Sequence, residues 1–126
     1  MRADHSSGDI VNGTPIYLGN PCGAIIKAAG EPTVYHMGDT DVFGDMGLIA
    51  EMYEPKIAMV PIGDRFTMSP TSAAFAVKRF FKLDAVIPCH YGSFSIIEAT
   101  ADEFVAAMKG HGTKVLVLEK GKAVQV

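Results

Sequence analysis

Apolar residues recur along this chain in two rhythms. Short runs dense in Val, Ile and Ala alternate with stretches in which apolar positions return every three or four residues. The first rhythm belongs to buried strands and the second to amphipathic helices. Cys22–Ala28 and Thr33–Met37 are apolar runs separated by Ala29-Gly30-Glu31-Pro32, which predicts a hairpin. Met46, Ile49, Met52 and Tyr53 share one side of a helix that Asp45 opens and Pro55 stops. Ile57–Ile62 predicts a buried strand ended by Gly63-Asp64. Ser69-Pro70 supplies a capping hydroxyl and then proline in the first helical position. That helix runs to about Phe81, with Ala73, Ala74, Val77, Phe80 and Phe81 along one side. Asp84–Pro88 predicts another strand, closed by Cys89-His90-Tyr91-Gly92. Thr100 with Glu103 makes a capping box for a helix that Gly110 ends, and Lys114–Leu118 with Lys122–Val126 reads as a hairpin. The first 21 residues hold turn formers such as Ser6-Ser7-Gly8-Asp9 and Asn12-Gly13-Thr14-Pro15, and read as loop.

Strands alternating with helices give a layered α/β fold in a single domain over residues 1–126. In such sheets the loops after the strands gather along one edge, where ligands bind. Composition narrows the function classes. Hydrophobic residues make up 48%, enough for a packed core, and 11 Lys+Arg against 14 Asp+Glu leave a net charge of −3 with no basic tract. This argues against a nucleic-acid binder that holds phosphates by charge. The apolar runs are far shorter than the roughly 20 residues a membrane helix needs, which argues against a membrane partner. MRADHSSGD lacks the apolar segment of a signal peptide, so Cys22 and Cys89 are expected as free thiols in the cytoplasm.

Three residues stand where chemistry gathers. His5 lies in the opening loop, Asp39 just past the strand Thr33–Met37, and His90 just past the strand Asp84–Pro88. Two imidazoles and a carboxylate suit a divalent metal such as zinc, manganese or iron. The plainer alternative makes Asp39 a turn cap and both histidines ordinary loop residues. Alternation along an extended strand turns Cys89 away from His90.

The strings MRADHSSG, VYHMGDTDVFGDM, MVPIGDRFTM and AVIPCHYGSF, in that order, resemble the C-terminal half of metal-dependent hydrolases of the metallo-β-lactamase superfamily. The similarity is to an uncharacterised bacterial and archaeal branch related to the L-ascorbate-6-phosphate lactonases. The resemblance implies that this partial domain is half of an αββα sandwich. It also implies that His5 completes a first metal site, Asp39 bridges two metals and His90 serves the second. Gly63, Asp64, Phe66, Thr67 and Met68 match a block near the active-site mouth, with Ser69 where the family pattern suggests glycine. Asp64, Phe66 and Thr67 of that block are expected to meet substrate, as is Tyr91 through a hydroxyl donated to a substrate oxyanion, the plainer alternative for Tyr91 being packing alone.

The family's His-x-His-x-Asp-His motif is missing, since the histidines are His5, His36, His90 and His111. By the resemblance, the chain begins about halfway through the sandwich, and the residue that orients the nucleophilic water lies in the missing half. The complete enzyme is expected to hold two divalent metals (zinc, manganese, iron or nickel) and to hydrolyse a small-molecule ester, lactone or phosphodiester. This chain alone is expected to bind metal weakly or singly and to pair with itself or with a complementing N-terminal half. The alternative is a catalytically inactive remnant that serves as a structural or subunit-pairing module.

Overall fold

The computed structural model describes residues 1–126. It opens with a small antiparallel hairpin, β1 (Gly8–Val11) and β2 (Thr14–Tyr17), where a loop was expected. The signal is Asn12-Gly13, whose φ values of 51° and 79° make a turn that matches the twist of its strands. Periodicity misses this hairpin because neither face is buried, so no alternation marks it.

The main sheet runs β3 (Ala24–Ile26), β4 (Val34–His36), β5 (Ile57–Pro61), β6 (Ala85–Cys89) and β7 (Lys114–Val115), in that order across the sheet. β3 and β4 form the expected antiparallel hairpin, and the remaining neighbours are parallel. Each parallel step crosses over through a helix: α1 (Met46–Tyr53), α2 (Pro70–Phe80) and α3 (Asp102–Met108). Because every step advances the same way across the sheet, right-handed crossovers set all three helices on one face. No helix is long and apolar enough to cross a membrane.

Local chemistry explains the helix boundaries only in part. Ser69 caps α2 as expected, its hydroxyl accepting from the Ser72 amide at 3.1 Å. Asp45 precedes α1 without a side-chain cap, and its carboxylate lies 3.8 Å from Arg2 instead. Thr100 accepts from the Asp102 amide rather than that of Glu103, so the expected capping box is a tighter local turn and Ala101 heads α3. The expected C-terminal hairpin is also corrected. Only Lys114–Val115 joins the sheet, alongside β6, and residues 122–126 form no strand, being exposed with nothing to bury their alternate side chains.

Tyr35, Ala58 and Val86 pair across the sheet and face the helices, packing with Met46, Ile49, Ala73, Val77 and Phe104 into one core. The next row, His36, Met59 and Ile87, points to the opposite face and stays half-exposed, with Ile26 56% exposed nearby. This sheet therefore has one covered face and one open apolar face. Since β4, β5 and β6 are parallel, their C-terminal ends share one edge, and the loops that follow them meet there.

Candidate metal centre

The loop after β4 is held from three sides. Gly38 turns it at φ +72°, and a Cβ there would fall 2.5 Å from the Cys22 carbonyl oxygen, so a larger residue would displace the chain. Thr40 is fully buried. Its hydroxyl accepts from the Asp4 amide at 2.8 Å and donates to the Asp41 carbonyl at 2.7 Å, while its own carbonyl accepts from the Met68 amide at 3.0 Å. Asp41 returns a backbone bond to Asp4 at 2.9 Å. These contacts bind the opening segment, and with it His5, to the loop that carries Asp39.

His90 is set from the other side. It leaves β6 in the left-handed region, φ +58°, which ends the strand's alternation at that residue. Its ring lies on Gly63: a Cβ at Gly63 would sit 2.5 Å from His90 Nδ1 and 2.4 Å from its carbonyl oxygen. Gly63 is fastened in turn, its amide donating to Thr67 Oγ1 at 3.2 Å and its carbonyl accepting from the Glu98 amide at 3.1 Å. So seated, His90 turns Nε2 toward Asp39 Oδ2 at 3.7 Å and buries Nδ1 without a hydrogen-bond partner.

That 3.7 Å separation is too long for a hydrogen bond. Two donors each about 2.1 Å from one tetrahedral ion stand roughly 3.4 Å apart, so the pair fits a shared divalent cation with little movement. Asp39 is more than half exposed and leaves room for further ligands. No three His, Cys, Asp or Glu side chains converge on one point. His5 is half-buried, with Nδ1 at 2.6 Å from the Ser6 carbonyl. It lines an open cleft of about 590 Å³ with Asp4, Asn20 and Cys22, apart from the Asp39–His90 pair.

Cys89, expected to face away from His90, is partly buried next to it in the chain. Burial pushes its thiol up to about 11, and the Asp39 charge adds to the rise. Of the residues expected at the mouth, Asp64 and Phe66 are exposed, Asp64 at φ +67°. Thr67 is buried with its hydroxyl engaged by Gly63, and Tyr91 packs half-buried against the core. Sequence reasoning passed over Thr40 and the seat at Gly63. Both were signalled by the same pattern, a Gly-Asp pair closing a strand with a threonine within the next four residues.

Comparison with known proteins bears on this geometry. No family model matches the chain. Over all 126 residues it is 56% identical to the UPF0173 metal-dependent hydrolase of Azorhizobium caulinodans, of which it spans 53%. It is 60% identical to that of Methylobacterium nodulans, again spanning 53%. The chain is a homologue of these metal-dependent hydrolases. It spans about half the length of the curated relatives it matches. Among solved structures it superposes on Igni18, a metallo hydrolase of Ignicoccus hospitalis, with a TM-score of 0.80 and 39% identity over 97% of the chain and 49% of Igni18. A Thermotoga maritima protein assigned to the zinc-dependent hydrolases of the metallo-β-lactamase superfamily shares the fold, at TM-score 0.60 and 20% identity, over 89% of this chain and 68% of its own. The likeness to metal-dependent hydrolases therefore stands on the first three, and the Thermotoga protein adds that the mixed α/β fold is shared.

Proposed function

We propose that this chain forms part of a metal-dependent hydrolase in which Asp39 is shared between two divalent ions, one flanked by His5 and the other by His90. The observation that carries this reading is Asp39 Oδ2 facing His90 Nε2 at 3.7 Å, with the His5 segment bonded to the same loop through Thr40 and Asp41. A bound divalent metal supplies water whose pKa falls from 15.7 to about 7, a nucleophile at neutral pH. The chain's own part is positional. Gly63 and Thr67 aim the His90 ring, and Thr40 ties the loop that carries Asp39 to the segment that carries His5. Asp64 and Phe66, exposed in the turn that follows Gly63, are the groups proposed to meet substrate, together with Tyr91, which follows His90 in the chain and packs half-buried against the core. Zinc suits the nitrogen and oxygen donors, and the substrate is an ester, lactone or phosphodiester of a small molecule.

The open sheet face and the span of only half the relatives support a second element of the reading: activity needs the rest of the fold. The test is co-expression of this chain with the part of the Azorhizobium relative that it does not cover. Metal-dependent turnover of an ester, lactone and phosphodiester panel is expected from the pair, absent from either part, and abolished by Asp39→Ala. The reading fails if the intact relative turns over a member of the panel while the pair stays inert.

A further inference from the structure

One cation on the ligand-bearing edge is unaccounted for. The loops after β4, β5 and β6 (37–45, 62–69 and 90–101) carry Asp39, Asp41, Asp45, Asp64 and Glu98, and beside His90 their one basic residue is Arg65. A lone arginine among acids is expected to pair with one of them. It does not, since the chain's ion pairs are Arg2–Asp45, His90–Asp39 and Lys122–Glu119. The guanidinium instead lies over the Phe66 ring, 5.9 Å from its centroid, on a side chain 49% exposed. Stacking on an aromatic face holds the group while leaving its N–H donors free.

The loop beneath Arg65 is closed and anchored. Asp64 N–H donates to the Met68 carbonyl at 3.0 Å, Thr67 N–H to the Asp64 carbonyl at 2.7 Å, and Met68 N–H to Thr40 at 3.0 Å. Arg65 and Phe66 are thus the tip of a fixed turn whose base, Gly63, touches the His90 ring. Arg65 follows Gly63 by two residues, so its Cα lies within about 7 Å of the glycine that seats His90, a span that an extended arginine side chain can bridge toward a molecule held there. A planar fork of donors, outside the chain's ion pairs and carried on a bonded turn whose base seats His90, matches an oxyanion with two available oxygens.

We propose that Arg65 is a specificity-determining residue that binds an oxyanion, carboxylate or phosphate, borne by the substrate near its scissile bond. This deepens the hydrolase reading and rests on it. The probes are inorganic phosphate and acetate, titrated at constant ionic strength into ¹⁵N-labelled chain, with chloride as reference. Saturable shifts are expected at the Arg65 Nε–H and the amides of residues 64–67, at least tenfold weaker in Arg65→Gln and partly kept in Arg65→Lys. A response to either anion or to both supports the proposal and tells which oxyanion is read. Shifts no larger than with chloride, or unchanged in Arg65→Gln, overturn it, and the same spectra report whether each variant is folded. A separate zinc titration follows His90: its failure alongside an intact anion response sinks the hydrolase reading and not the anion contact.

Discussion

Gly63 shows how much a missing side chain can do. Its role is the space it leaves for the His90 ring, and a methyl group there would meet both Nδ1 and the carbonyl oxygen of His90. Gly63→Ala is expected to rotate the imidazole off Asp39 and to weaken zinc binding by about 10- to 100-fold, the loss typical when a ligand's support is removed. Calorimetric titration checks this, with circular dichroism confirming an intact fold. Tyr35 presents the reverse case, a group with too much chemistry for its place. Its ring is fully buried and tilted against Phe81, and its hydroxyl finds no partner. Burial raises its pKa to about 12 from an ordinary 10. The folded state thus holds the proton more tightly than the unfolded state, so this contribution is complete below pH 10 and is lost as pH rises toward 12. Urea midpoints of the native chain are expected to fall across that window, and those of Tyr35→Phe to fall less. At neutral pH Tyr35→Phe is expected to gain about 1 kcal/mol by removing an unsatisfied buried hydroxyl.

At the scale of elements, the two helix starts make a matched comparison. Ser69→Ala removes a formed cap and is expected to cost about 1 kcal/mol, whereas Asp45→Ala removes a side chain that caps nothing and is expected to cost under about 0.5 kcal/mol. Chemical denaturation of the two variants side by side distinguishes them. The same contrast explains what was legible in the chain. α2 was readable because proline and serine act locally, and β4, β5 and β6 because burial leaves dense apolar runs. The Gly8–Tyr17 hairpin escaped because its signal is a dipeptide rather than a period, and the C-terminal strands were over-read because alternation alone does not supply a neighbour to pair with. In the site, the nearness of Asp39 to His90 followed from parallel strand ends. The seat at Gly63 and the clamp at Thr40 did not, because a close approach between distant segments leaves no trace in spacing.

The whole molecule is a sheet covered on one side. Ile26, Val34, Met59 and Ile87 on the open side form an apolar surface of the kind that marks an interface. Light scattering after size exclusion is expected to find the isolated chain self-associated, and Ile26→Lys to shift it toward monomer. A stable, non-associating monomer would remove the need for a covering partner. The deeper commitment is chemical, and zinc titration into the native chain, Asp39→Ala and His90→Ala addresses it most directly. The account predicts at most one weakly held equivalent in the native chain, and at least tenfold weaker binding in each variant. Native-like zinc affinity in both variants would contradict it, because the metal would then sit somewhere other than between Asp39 and His90.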